Sequence, residues 1–371
     1  MSKTLITKLL AFVCISIIFT ACASESNSNE NNIRGVNQNN NLQAWGFALM
    51  VENYIFFADS TGIHRSNDLF ESIETLVFNE NYLTYLSSNL SAYSGLQYYN
   101  DSIFFLDRSN STIYSMCLSG NDITPILKAS DIGNEGTLGE FIVTDGTIYF
   151  HHFVNGTTLY SFDLETENII NLSITTSPLL SISPDGQYLL FAHNFVTLTG
   201  FNFDSGDVRN KMPINFETLS ANRYVRHITS RTVINNSIAF ASPHAHGLGS
   251  RIFIIDRDGY AEEIYFSEDS IFSFINAIND WIYFTVMQEG DVSIPIEDRV
   301  RDIHLYRVRS NGGNLELVYK NIAHAAPGIP TVTISIFSED IILFRTNPTH
   351  HTIYALMRNN TTDELVKKAI N

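Results

Sequence analysis

Asp145-Gly146-Thr147-Ile148-Tyr149-Phe150 is the stretch that decides the fold: a two-residue polar turn, then a short β-branched and aromatic run that closes on phenylalanine. The phrase occurs seven times. Its other copies run from Glu52-Asn53 to Phe57, Asn100-Asp101 to Phe105, Asp185-Gly186 to Phe191, Asn235-Asn236 to Phe240, Asn279-Asp280 to Phe284 and Glu339-Asp340 to Phe344. In six copies Phe stands four residues after the turn, and the copy at Asp185 carries one residue more. Asn, Asp and Gly pairs tolerate the positive φ that tight hairpins require. The β-branched and aromatic residues behind them suit strands.

Further strands surround each phrase. A second phrase follows at Ile113-Tyr114, Leu159-Tyr160, Ile252-Phe253, Leu305-Tyr306 and Ile353-Tyr354. Another turn then leads to a fourth strand, as at Ile169 to Leu172 or Ala261 to Phe266, and a preceding strand is visible at Phe141 to Thr144 and Phe272 to Ile278. Four antiparallel strands per unit, repeated seven times, predict an all-β chain folded as a single β-propeller. Seven four-stranded blades fit the repeats, with six or eight left open. Because each unit begins at its innermost strand, the ring is expected to close without exchanging a strand between its ends, unless Leu42 to Met50 pairs elsewhere. Thr362 to Ile370 reads as a short helix or as the last edge strand. Most of the 17 Tyr and 26 Phe fall at repeated strand positions, where they are expected to pack blade against blade.

The fourth unit reads Ser183-Pro184-Asp185-Gly186-Gln187-Tyr188-Leu189-Leu190-Phe191 and resembles the repeat of TolB-type propellers. The Ile-Tyr-Phe and Leu-Tyr units are similar to the propeller modules of lipoprotein-receptor ectodomains, without the Tyr-Trp-Thr-Asp phrase of those modules. This resemblance covers residues 43–371 and implies a fold, not a function.

The chain opens with Lys3 and Lys8, an apolar run from Leu9 to Phe19 and a small-residue exit, the pattern of a secretory signal over residues 1–21. Phe19-Thr20-Ala21-Cys22 resembles the lipobox of bacterial lipoproteins, with Phe19 at the usual Leu position. That resemblance implies cleavage before Cys22, lipidation of its thiol, and attachment to the extracytoplasmic side of a cell membrane. Cys117 would then be the remaining free thiol, expected to pack as a small apolar residue in a strand. Residues 22–42 are rich in Asn and Ser and nearly without apolar content, so a flexible tether is expected between the lipid and the propeller.

Thirty-nine acidic residues against 22 basic ones give a formal charge of −17, which argues against nucleic acid as a partner. With 44% hydrophobic residues the chain has ample material for a core. Strands alternate in direction, so the short turns before each first phrase share one face with the turns after each second phrase. The longer loops gather on the opposite face, where function usually resides on a rigid scaffold.

Histidines concentrate on that loop face. His151, His152, His193, His244, His246, His350 and His351 follow the Phe that closes a first phrase, and His324 falls in a blade-joining loop from Ala323 to Pro330. Neutral imidazoles there are candidate metal or anion ligands; the competing reading, which we prefer, is a solvated polar rim. The longest loop, Thr285 to Asp302, carries Glu297, Asp298, Arg299 and Arg301. It reads as a mixed-charge flap over the channel mouth or as a tolerated surface insertion.

No serine-hydrolase elbow and no zinc-protease helix occurs, so no catalytic residue, metal or cofactor is nominated. The expectation is a lipid-anchored, monomeric binding or scaffolding module whose loop face takes a protein or an envelope polysaccharide. An envelope-glycan enzyme and a solute-binding or sensory lipoprotein are the alternatives.

Overall fold

The computed structural model describes residues 47–59, 61–67, 70–78, 93–133, 135–154, 156–175, 180–182, 188–193, 197–202, 205–206, 208–212, 230–234, 237–243, 250–256, 261–268, 270–288, 301–325, 332–346, 353–359 and 361–370. Among the described residues, 28 strands make seven sheets of four antiparallel strands each. The sheets span 48–78, 93–128, 137–175, 180–212, 230–267, 270–325 and 332–370, and within each one the strands lie in chain order. One 3-10 turn, Ala129–Asp131, interrupts them. No helix among the described residues is long and apolar enough to cross a membrane. Residues 365–370 are the strand Leu365–Ile370, at the outer edge of the seventh sheet.

The turn phrase does what its chemistry demands. Asn100 and Asp101 take φ of 48° and 58°, and Asp145 and Gly146 take 46° and 73°. Both pairs link strands whose flanking residues face each other, Tyr99 to Ser102 and Thr144 to Thr147. Positive φ at both loop positions matches the hairpin to the right-handed twist of its strands. The seventh sheet departs from the pattern. Ile336 pairs with Ile342 and the Phe337 amide donates to the Ile341 carbonyl at 3.1 Å, so Ser338, Glu339 and Asp340 form a wider loop. None of these three has positive φ, and Glu339 is engaged elsewhere, accepting from Arg307 Nη1 at 2.6 Å. That Arg307–Glu339 bond ties the sixth sheet to the seventh on the narrow-turn face, while within the sixth sheet Arg307 and Arg309 lie 4.1 and 3.8 Å from the Trp281 ring.

The repeated phenylalanines are the core. Phe57, Phe105, Phe150, Phe240, Phe284 and Phe344 are all buried. Each packs its ring on the residue opposite it in the third strand: His64, Tyr114, Tyr160, Phe253, Tyr306 and Tyr354, at centroid distances from 5.0 to 6.2 Å. Burying such a ring contributes about 1.5–3 kcal/mol.

Neighbouring sheets share apolar clusters from first to second, second to third, third to fourth, fifth to sixth and sixth to seventh. A further cluster joins Phe47, Ala48, Ile55 and Phe57 of the first sheet to Leu343, Ile353 and Ala355 of the seventh. Among the described residues the ring closes there without a shared strand, through that cluster and the bond from Lys368 Nζ to the Phe70 carbonyl at 3.0 Å. Innermost strands lie side by side around the axis, and side chains stitch them. Gln97 donates to the Phe141 carbonyl at 2.5 Å and accepts from the Val143 amide at 2.9 Å, substituting for a missing ladder between two sheets. Cys117 ends the strand Thr112–Cys117 part-buried. It is disulfide-bonded, not the free thiol expected from the sequence.

Candidate functional site

Second strands run from the narrow turns toward the wide-loop face, and first strands begin there. The mouth of the ring on that face is therefore built from the ends of second strands and the starts of first strands. Four consecutive sheets place polar side chains at it: the third, second, first and seventh.

In the third sheet the first strand is Thr137–Thr144 and the second is Thr147–Phe153. Their register shifts between Phe150 and His152. Such a bulge inserts an extra residue and re-aims its side chain. The extra residue lies in the first strand, where Gly139 and Glu140 together stand opposite His151; His151 is fully buried, with Nδ1 3.9 Å from Oε2 of the buried Glu140, close enough for an ion pair when the imidazole is protonated. Two glycines make room. A Cβ on Gly139 would stand 2.1 Å from the Phe153 ring, and Gly136, at φ +113°, would collide with Val154, His152 and the Phe153 carbonyl. His152 sits edge-on to Tyr160 at 5.7 Å. Burial lowers its pKa, outweighing a backbone interaction at Glu135, so its imidazole is neutral at pH 7.

The first and second sheets end their second strands with the same local device, Phe-x-Asp-x-Thr or Ser. Asp59 Oδ1 accepts from the Thr61 amide and hydroxyl, both at 2.7 Å, and from the Gly62 amide at 3.1 Å. It also lies 2.9 Å from His64 Nε2. Asp107 Oδ1 accepts from the Ser109 amide at 2.8 Å and hydroxyl at 2.6 Å. Both aspartates thus hold the start of a wide-face loop through side-chain-to-backbone turns. Burial raises the Asp59 pKa, but the bonds from His64 and Thr61 outweigh that effect and hold it below the usual 3.8.

Two arginines complete the mouth. Arg108 follows Asp107 in the second sheet's loop, and burial lowers its pKa against the opposing pull of Glu140. Arg345 lies in the strand Ile341–Thr346 of the seventh sheet, its guanidinium carbon 4.9 Å from the Phe47 ring. Burial, reinforced by the charge of Arg108 and opposed by Asp59, pushes the Arg345 guanidinium down to about 10. At pH 7 it stays charged.

Several residues singled out from the sequence have different positions. His151 and His152 are buried members of a strand, not part of an exposed rim, because the second strand continues three residues past Phe150. His193 likewise ends the strand Tyr188–His193. His324 belongs to the strand Glu316–Ala325, paired with Asp302, not to a blade-joining loop. The long connection is shorter than expected: the strand Trp281–Gln288 covers its start, and Arg301 opens the strand Arg301–Arg309 opposite Ala325. His244, His246, His350, His351, Glu297, Asp298, Arg299 and Cys22 lie outside the described residues.

Among the described residues no three His, Cys, Asp or Glu side chains stand together in a way that could hold a metal ion. Glu140, Arg108, Arg345 and Asp59 were not singled out. A signal for two of them was present: Glu140 and Arg345 are charges inside otherwise apolar strands.

No protein-family model and no curated protein sequence matches the chain. Solved structures match its shape. Puromycin hydrolase aligns with a TM-score of 0.57 at 12% identity, over 94% of this chain and 56% of that one. Hsv2 of Kluyveromyces lactis aligns with 0.51 at 8% identity, over 85% and 94%. An oligogalacturonate lyase from Vibrio parahaemolyticus aligns with 0.46 at 10% identity, over 72% of each chain. Puromycin hydrolase and Hsv2 are β-propeller-type proteins, and the chain shares their fold class.

Proposed function

We propose that this chain is a lipid-anchored, extracytoplasmic β-propeller that acts as a binding module, its wide-loop mouth holding a protein or a cell-envelope polymer near the membrane. The observation that supports it most is the polar lining of that mouth. Sheets seven, one, two and three place Arg345, Asp59, Arg108, Glu140 and His151 there, while the opposite face carries tight turns. At the position directly after the core phenylalanine, other sheets carry the buried Ala58, Leu106 and Ala241, whereas the third and seventh carry His151 and Arg345.

The anchor is the second part of the reading and rests on Phe19-Thr20-Ala21-Cys22. One experiment addresses location and partner together: in-cell crosslinking of the wild type and of Cys22→Ala in the native host, followed by fractionation and mass spectrometry. The expected result is wild type in the membrane fraction with one dominant co-purifying partner, and Cys22→Ala released. Cys22→Ala remaining in the detergent phase would reject the anchor, and wild type without any partner would reject the scaffold role.

A further inference from the structure

We propose that the outer side of the first sheet carries an acyl-transfer site, with Thr75 as nucleophile, His64 as its general base and Asp59 as the residue that positions the imidazole. The site hydrolyses neutral esters of short acyl groups, an activity beyond the binding role given to the mouth.

Three side chains stand in line from the wide-face loop to the outer edge of the sheet. Asp59 Oδ1 lies 2.9 Å from His64 Nε2, and His64 Nδ1 lies 3.1 Å from the Thr75 hydroxyl oxygen. His64 belongs to the third strand, Gly62–Asn67, and Thr75 stands opposite it in the fourth, Ile73–Phe78. Proton positions follow from the carboxylate. An ionised Asp59 only accepts, so Nε2 carries the hydrogen of the neutral imidazole and Nδ1 presents its lone pair to the Thr75 hydroxyl. Thr61, bonded to the same Asp59 oxygen, adds a second oxygen 3.0 Å from Nε2. Carboxylate, imidazole and hydroxyl in this order are the parts by which a nucleophile and its base are recognised on unrelated folds.

The repeat shows that folding does not require them. Where the first sheet has His64, five other sheets have Tyr114, Tyr160, Phe253, Tyr306 and Tyr354, opposite Pro125, Asn171, Glu263, Leu317 and Ala369. The core asks for a ring at that position and not for an imidazole, and the ladder asks for no hydroxyl across from it. Asp107 makes the same loop turn in the second sheet with Tyr114 in place of a histidine. His64 meets the packing demand by stacking on Phe57 at 5.2 Å, and adds a base of fixed orientation.

Burial divides the three residues as the chemistry requires. His64 is 6% exposed and Asp59 is part-buried, whereas Thr75 is exposed on the outermost strand, where an ester can reach it from solvent. Ile73, two residues earlier and on the same face, is 36% exposed and offers an aliphatic surface to a short acyl chain. A net charge of −17 disfavours acidic substrates, which leaves neutral esters.

In the first step Thr75 Oγ1 bonds to the ester carbonyl carbon while its proton passes to His64 Nδ1. Collapse of the tetrahedral adduct breaks the bond to the alcohol, which departs with that proton and leaves the acyl group on Thr75. Water then attacks the acyl carbon and gives a proton to Nδ1. The Thr75 oxygen leaves with that proton, and the carboxylic acid is released.

The test uses the full chain in non-ionic detergent, with two readouts. A fluorophosphonate probe, which forms an oxygen–phosphorus bond at an activated hydroxyl and expels fluoride, is followed by peptide mapping; hydrolysis of p-nitrophenyl acetate gives the rate. Labelling at Thr75 is expected in wild type and in Thr75→Ser. Thr75→Val is expected to lose the label, and both Thr75→Val and His64→Phe to lower the rate by about 100-fold or more. His64→Phe supplies the ring that the fifth sheet uses at Phe253, and Thr75→Val changes an exposed position, so a cooperative melt shows that either loss is not unfolding. For Asp59→Asn the expected change is a lower kcat per folded molecule at unchanged KM, which a purely structural carboxylate would not produce. No label at Thr75 in folded wild type, an unchanged rate in Thr75→Val, or a wild-type rate in His64→Phe would overturn the proposal. Partner capture at the mouth is a separate readout, so failure of either reading leaves the other to stand on its own result.

Discussion

Asp59 concentrates the argument at the scale of a single residue. It follows the core Phe57 by two positions, and its one oxygen gathers a loop amide, a hydroxyl, a second amide and an imidazole. His64 in turn occupies the ring slot that other sheets give to Tyr or Phe, stacked on Phe57 at 5.2 Å. Removing the carboxylate leaves part-buried donors unmet, so Asp59→Ala is expected to cost about 1–3 kcal/mol in chemical denaturation. The pH dependence has a definite sign. Because the folded-state pKa lies below 3.8, the group contributes stability that is fully present above that value and is lost as pH falls through and below it. Wild type should therefore lose more stability than Asp59→Ala between neutral pH and strongly acidic pH. Parallel acid profiles for the two proteins would show that the carboxylate is not held as described.

At the scale of the element, the hairpin and the stacked ring pair were legible in the sequence because both are local. The turn residues specify positive φ, and Phe lies at a fixed distance behind them, so the core ladder from Phe57 to Phe344 follows from spacing alone. Gly146 shows the turn chemistry in isolation. A Cβ there would meet only the Tyr99 hydroxyl, at 3.9 Å, so a substitution tests φ and not space. Gly146→Val should cost about 1–3 kcal/mol through its φ of +73°; an unchanged denaturation midpoint would mean the turn adopts another geometry.

The mouth was less legible because its parts depend on irregularity and distance. His151 reaches Glu140 only through a bulge, which a strict two-residue alternation does not reveal. Arg345 meets Phe47 only after the whole ring has closed. His151, His152 and His324 are strand residues and not loop residues because wide-face strands run longer than the repeat indicates: Thr147–Phe153 continues three residues past Phe150, and Glu316–Ala325 extends through His324.

At the scale of the whole molecule, ring closure by packing makes the last sheet responsible for both its neighbours. It shares Val332, Ile334 and Phe344 with the sixth sheet and Leu343, Ile353 and Ala355 with the first. A chain ending at Ala325 would expose both apolar clusters and is expected to lose a single cooperative unfolding transition and to aggregate. A soluble product that unfolds cooperatively would argue against a closed ring. The closed ring in turn brings the seventh, first, second and third sheets to one mouth, although their contributing residues are spread from Asp59 to Arg345 in sequence.

Face-resolved crosslinking in the native host is the most direct test of the central claim, that binding occurs on the wide-loop face. A photoreactive residue replaces Asn110, exposed on the wide face, or Glu165, exposed at a narrow-face turn, in otherwise unchanged full-length protein. Capture of the same species repeatedly from position 110 and not from position 165 is the result this account expects. Capture from position 165 alone would contradict it.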